Sequence, residues 1–113
     1  MSKERVHRFV SKDLTLRIAA VNATEVVRHM QNLQNTYPLA TVAVGRSMVG
    51  ALLMAAQLKD DQMVGLLFRG NGPLGSVYAE ASYNGHVRGY TANPQYQPAN
   101  YDNGLSLKEA IGI

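Results

Sequence analysis

The chain has 113 residues, 46% of them hydrophobic and 17% charged, with a net charge of +3. This length fits one domain, and the composition is that of a globular rather than a disordered protein. Because the chain contains no cysteine, it can form no disulfide, thiolate nucleophile or cysteine-ligated metal site. The three histidines share no metal-ligand spacing, so we expect neither a metal nor another cofactor in residues 1–113.

Two short strands are predicted at the start of the chain. Residues 6–11 and 14–21 have strand character on either side of Lys12-Asp13, either as a hairpin or as one bent strand. In the second stretch, period-two alternation places four apolar side chains on one face: Leu14, Leu16, Ile18 and Ala20. Thr15 and Arg17 lie on the other face.

An amphipathic helix is predicted next. Its start is indicated by Asn22-Ala23-Thr24-Glu25, where Asn22 or Thr24 could cap the helix. Its apolar stripe consists of Val26, Val27, Met30 and Leu33. Tyr37-Pro38 ends this helix, because a residue that precedes proline is disfavoured in helical conformation, and Pro38 suits the first turn of a second helix.

The second helix, about residues 39–58, is apolar nearly all round. Its length would allow it to cross a membrane. However, Arg46 lies near its middle, where a charge is costly in lipid, and much of its apolar content is alanine and glycine. We therefore predict a buried central helix and no membrane partner. The N-terminus lacks the apolar segment of a signal peptide, so a cytoplasmic location is expected.

The stretch from Met63 to Tyr90 contains the most informative motif. Gly70, Gly72 and Gly75 match G-x-G-x-x-G, the dinucleotide-binding fingerprint. That fingerprint requires a helix to begin within the glycines, whereas the residues that follow alternate as in a strand. The acidic residue that should hold a ribose hydroxyl is also missing, since residues 81–101 contain no Asp or Glu. The glycines therefore indicate a connection between two strands.

A second turn signal follows at Asn84-Gly85, which predicts a type I′ hairpin. Three strands would then form an antiparallel meander. A polar loop over residues 93–104 and a capping box at Ser106-Leu107-Lys108-Glu109 precede a short helix. Gly112-Ile113 has the character of a strand beginning, so we expect the chain to be truncated within its fold. The predicted class is α+β, one partial domain over residues 1–113 with the meander packed on a long buried helix and a shorter amphipathic one.

The meander also carries a resemblance. The residues concerned are Gly70-x-Gly72-Pro73-Leu74-Gly75-x-Val77-x-Ala79-Glu80-Ala81 and Asn84-Gly85-x-Val87-Arg88-Gly89-Tyr90. With the apolar helix that ends at Leu58-Lys59, they resemble the N-terminal core domain of the redox-regulated thirty-three-kilodalton bacterial heat-shock chaperones. The resemblance covers essentially the whole chain.

This resemblance implies a function without catalytic turnover. Members of that family are ATP-independent holdases that bind unfolding client proteins under oxidative and heat stress. Their switch is a C-terminal zinc module with four cysteines that form disulfides on oxidation, joined by a metastable linker. This chain contains neither the module nor the linker, so zinc is expected only in the absent C-terminal domain. The family also implies a homodimer, in some members with exchanged elements.

A holdase needs apolar surface that clients can reach. The candidate client contacts, chosen for size and sheet position, are Met63, Leu66, Phe68, Val77 and Tyr78. The alternative for each is a place in the core, since large apolar side chains are usually buried.

A second function remains open from sequence alone, a small basic RNA-binding module. Five of the eleven basic residues lie in the first seventeen positions: Lys3, Arg5, Arg8, Lys12 and Arg17. Five tyrosines could stack on bases: Tyr78, Tyr83, Tyr90, Tyr96 and Tyr101. The basic residues are interleaved with Glu4 and Asp13 and form no run, so a solvated basic face is favoured and a nucleic-acid partner is not expected.

Overall fold

A computed structural model of the chain describes residues 6–59, 61–98 and 107–112. Its elements in chain order are β1 (Val6–Val10), β2 (Arg17–Val21), α1 (Thr24–Gln34), α2 (Pro38–Ala55), β3 (Met63–Arg69), β4 (Ser76–Ser82), β5 (Val87–Thr91) and α3 (Leu107–Ile111). Strands β1 and β2 form one antiparallel sheet, and β3, β4 and β5 form a second in sequence order. The predicted α+β meander is confirmed.

Helix α2 is the centre of the core. Ten of its eighteen residues are buried, and Leu39, Val44, Met48 and Leu52 are among the largest fully buried side chains. Close packing on the sheet depends on Gly89 of β5, where a Cβ atom would lie 2.8 Å from Met48 Cγ. By length and composition alone α2 could cross a membrane, and it is the helix that passes this test in the described part of the chain. Its contacts confirm the buried central helix.

Helix α1 packs on α2 through a narrower stripe than predicted. Val26 and Met30 are buried, whereas Leu33 is 71% exposed. The helix follows Ala23, without a side-chain cap, and ends at Asn35, whose left-handed φ of 53° stops it. Pro38 occupies the first turn of α2, as the sequence predicts.

Strands β1 and β2 form the hairpin, with Val6 opposite Val21 and Phe9 opposite Ile18. The face of the second strand with Leu16 and Ile18 is exposed, whereas Val6 is buried. The cause is Arg8, which shares a face with Val6. Its Nε donates a hydrogen bond to the Ala56 carbonyl at 2.9 Å, and its guanidinium lies 3.9 Å from the ring centroid of Tyr83.

The turn of this hairpin is closed around a carboxylate. The Ser11 hydroxyl donates to Asp13 Oδ1 at 2.6 Å, and the Thr15 hydroxyl donates to the same oxygen at 2.8 Å. Leu14 adopts a φ of 63° at the turn, which explains why this apolar side chain projects into solvent. The Ser11 and Thr15 hydrogen bonds lower the pKa of Asp13 from 3.8 to about 2.

We expect the Asp13 carboxyl group of the folded chain to titrate with a midpoint of about 2 in a carboxyl-detected NMR experiment. The folded pKa lies below the unfolded one, so the stabilisation is complete above the unfolded pKa and is lost as the pH falls toward 2. Ser11→Ala should raise the pKa, since the Ser11 hydroxyl is the largest cause of the shift. A wild-type midpoint equal to that of the urea-unfolded chain would contradict this arrangement.

The β4–β5 connection is a different turn from the one that Asn84-Gly85 predicts. Between β4 and β5, Gly85 has a φ of 95° while Asn84 does not enter the left-handed region, so the predicted type I′ turn is wrong. The Gly85 N–H donates to the Ser82 carbonyl at 3.0 Å, and the Ser82 N–H donates to the His86 carbonyl at 2.9 Å. This is a three-residue loop that ends in a left-handed glycine, which also suits a tight hairpin.

Candidate client-binding surface

The register of the meander separates the predicted client contacts onto two faces. Leu66, Phe68 and Val77 point to the α2 side, because Leu66 is opposite Ala79 and Phe68 is opposite Val77. Val77 is 1% exposed and belongs to the core, so it cannot contact a client while this fold is intact. Leu66 is partly buried against the same core, whereas Phe68 is 45% exposed.

Met63 and Tyr78 lie on the opposite side of the sheet, where sequence reasoning missed two further residues. Leu67 is opposite Tyr78, and Tyr78 is opposite Tyr90, so these three side chains form one row across the three strands. Met63, Leu67 and Tyr90 are each more than half exposed. We call Met63, Leu67, Tyr78 and Tyr90 the outer sheet face. Alternation from a buried Leu66 would have identified Leu67.

The aromatic side chains of the outer sheet face are held in place by a neighbouring charged row. The rings of Tyr78 and Tyr90 are 5.5 Å apart and tilted by 43°. The Tyr78 hydroxyl donates to Glu80 Oε1 at 2.9 Å, and Arg88 Nε donates to Glu80 Oε2 at 2.8 Å. Gly65, opposite Glu80, leaves room for this arrangement, because a Cβ there would lie 3.0 Å from the Tyr78 hydroxyl oxygen.

The same contacts determine the charge state of this row. The hydroxyl of Tyr78, followed by the guanidinium of Arg88, lowers the pKa of Glu80, and the hydrogen bond to Glu80 raises the pKa of Tyr78. Near neutral pH the hydrogen-bonded group of Tyr78, Glu80 and Arg88 therefore contains a phenol, a carboxylate and a guanidinium. An apolar row thus lies beside a polar row of fixed geometry.

The glycine-rich connection over residues 70–75 has a structural role. The N–H groups of Gly72 and Leu74 donate to the carbonyls of Ile111 and Ala110, each at 3.0 Å, and so are not free to hold a phosphate. Gly75 has a φ of 76°, which favours glycine. On the other side, the Asn93 side chain donates to the Pro73 carbonyl at 2.6 Å. The structure therefore supports a connection between two strands and not a nucleotide-binding loop. Gly70, unlike Gly75, does not adopt a left-handed conformation.

The residues proposed for RNA stacking do not converge on one basic surface. The Arg8 guanidinium lies against the Tyr83 ring, in the contact that holds the β1–β2 hairpin. Tyr78 and Tyr90 lie beside Glu80, whose carboxylate already pairs with the neighbouring cation, Arg88. Lys3, Arg5 and Tyr101 lie outside the described residues. Within the described ranges no three His, Asp or Glu side chains come together as a metal site would require.

A second apolar surface lies on the β1–β2 hairpin. Phe9, Leu16 and Ile18 are each more than half exposed, and they share the side of the hairpin that faces away from Val6. We call these three residues the hairpin face. The described residues do not cover it.

Comparison with known proteins identifies the family. The family model described as Hsp33 protein matches residues 4–113. The 33 kDa chaperonin of Latilactobacillus sakei subsp. sakei is 38% identical over 112 residues, which are 97% of this chain and 38% of that protein. The 33 kDa chaperonin of Desulfotalea psychrophila is 41% identical over 93 residues, covering 82% of this chain and 32% of that protein. The chain thus spans less than two-fifths of the length of these relatives.

A solved structure agrees with the sequence matches. The crystal structure of the 33 kDa chaperonin from Thermotoga maritima superposes with a TM-score of 0.85 at 32% identity, over 97% of this chain and 39% of that one. The fold of this chain therefore matches that structure over nearly its full length. Together with the family match over residues 4–113, this places the chain in the Hsp33 family.

Proposed function

We propose that this chain is the client-binding core of an ATP-independent chaperone, a holdase that binds unfolding proteins under heat and oxidative stress. The observation that carries the proposal is the outer sheet face, an exposed apolar row on a rigid three-stranded sheet in a member of a family whose relatives are called chaperonins. Exposed apolar patches of this kind mark sites of protein interaction. Phe68, on the opposite side of the sheet, is not part of this face.

The mixed character of the outer sheet face suits a binder of many sequences. Apolar side chains of a client would lose water against Leu67 and Tyr90, while polar groups of the client backbone could use the Tyr78–Glu80–Arg88 row. Met63 adds a flexible, polarisable side chain that adapts to different partners. Such a surface holds a client without transforming it, so we propose no enzymatic activity.

We propose that redox control, where the whole protein has it, lies outside this chain. The chain contains no cysteine and so cannot form or break a disulfide. Any zinc and its thiolate ligands would belong to the portion of the relatives that this chain does not span. We further propose a cytoplasmic location, where thiol-based control would have a reducing resting state.

We expect the chain to suppress aggregation of a chemically unfolded client enzyme without ATP, and to the same degree in dithiothreitol and in the thiol oxidant diamide. The physical reason is that binding would use apolar area already exposed on the outer sheet face, with no thiol to report the redox state. Light scattering during dilution from denaturant measures the effect. Failure to suppress aggregation would refute the function, and dependence on diamide would refute the location of the switch.

We also propose that two copies associate through the hairpin face. Phe9 and Ile18 are cross-strand neighbours, so two hairpins could bury both pairs against each other. Sedimentation of the wild-type chain against Phe9→Ser/Ile18→Ser tests this contact. We expect wild type to sediment as a dimer and the variant as a monomer. Equal sedimentation of the two would contradict a dimer contact at the hairpin face.

A further inference from the structure

A groove of about 640 Å³ lies between α1 and α2, on residues that neither apolar surface described above includes. Its apolar lining includes Val27, Val42 and Val49, and Thr24, Gln31 and Thr41 add polar side chains. The helices approach closely at Gly45, where a Cβ would lie 3.0 Å from Val27 Cγ1. The groove is therefore a concave, largely apolar channel between two helices, the kind of site that accepts an amphipathic segment.

Two arginines give the groove a charge. Arg28 of α1 and Arg46 of α2 line it from the two helices, and both are exposed residues. Neither guanidinium makes an ion pair or a hydrogen bond with another described residue. Among the described residues that line the groove, none is acidic. The groove thus combines an apolar floor with a positive charge on each wall, and carboxylates match guanidinium geometry well.

We propose that the α1–α2 groove binds an acidic amphipathic segment of a partner polypeptide. Its apolar side chains would contact Val27, Val42 and Val49, and carboxylates on its two flanks would pair with Arg28 and Arg46. A charge on each wall favours a ligand with two separated anionic groups, which such a segment has. This proposal rests on the proposed function in one respect, since it takes the partner to be a client protein. The groove would then give the chaperone a preference for clients with acidic segments.

The test is fluorescence anisotropy of two labelled peptides with the same leucine-rich face, one with glutamates and the other with lysines on its flanks. We expect wild type to bind the acidic peptide at least about tenfold more tightly than the basic one, as two charged hydrogen-bonded pairs allow. Arg28→Glu/Arg46→Glu should reverse this order. Reversal is a gain of binding to the basic peptide and cannot result from unfolding.

The matched control is Arg17→Glu/Arg69→Glu, which makes the same change in net charge at two exposed residues outside the groove. This variant should keep the preference of wild type. Equal loss of preference in both variants would attribute binding to net charge alone and overturn the proposal. Displacement of the acidic peptide by phosphatidylglycerol vesicles would assign the groove to a lipid surface, which also overturns it.

Failure here is distinguishable from failure of the proposed function. Peptide binding is measured without an aggregating client, so it can succeed when suppression of aggregation fails, and the holdase proposal then falls alone. If wild type suppresses aggregation but shows no preference between the peptides, the groove proposal falls alone.

Discussion

Gly72→Ala should destabilise this domain strongly, because the added methyl group would collide with the backbone of α3. A Cβ at Gly72 would lie 2.3 Å from the Ala110 carbonyl oxygen and 2.6 Å from the Ile111 carbonyl carbon. Both are backbone atoms, so no side-chain rotation relieves the contact. The 70–75 connection or α3 must move, which breaks the hydrogen bonds from Gly72 and Leu74. Overpacking costs about 1–3 kcal/mol, and the lost hydrogen bonds add to that.

The matched control is Gly50→Ala, which makes the same chemical change inside α2. The nearest atom to its Cβ would be Leu66 Cδ1 at 3.7 Å, an ordinary contact. Because alanine is the better helix former, this variant should be unchanged or up to about 1 kcal/mol more stable. Urea unfolding monitored by circular dichroism measures both variants. Equal midpoints for Gly72→Ala and wild type would show that α3 does not pack on the connection as described.

Leu52→Ala should lower the free energy of unfolding by about 2–5 kcal/mol. Leu52 is fully buried where α2 packs in the core, and its removal leaves a cavity that the rigid sheet cannot close. A domain of this size is stable by about 5–15 kcal/mol, so the change is a large part of the total.

Met54→Ala provides the comparison two residues later in the same helix. Met54 is 52% exposed, so its truncation should change the free energy of unfolding by no more than about 0.5 kcal/mol. Thermal unfolding of the two variants should therefore separate clearly. Equal destabilisation by both substitutions would contradict the orientation of α2.

Much of the fold could be predicted from local rules. Pro38 at the start of α2 and the alternation after Gly75 each have one favoured structure, and both predictions are confirmed. The hairpin β1–β2 shows the limit of such rules. Its alternation is clear, but which side faces the core is decided by the contact of Arg8 with Ala56 and Tyr83, residues distant in sequence.

The candidate site was predicted less completely, for a related reason. Size and hydrophobicity selected Leu66 and Val77 together with Met63, although these residues lie on opposite sides of one sheet. The row of Leu67, Tyr78 and Tyr90 arises from pairing between three strands, and no single strand reveals it. The groove between α1 and α2 depends on Gly45 in the same way, since its importance is visible only beside Val27.

The central claim is that the outer sheet face holds clients, and one comparison tests it most directly. Met63→Ser/Leu67→Ser/Tyr90→Ser removes three exposed apolar side chains from that face, and Leu14→Ser/Leu33→Ser/Met54→Ser removes three from elsewhere. Suppression of client aggregation at equal molar ratio is measured by light scattering, after circular dichroism shows that both variants are folded. We predict that the first variant loses most of the suppression and the second retains it. Equal suppression by the two variants would contradict the claim.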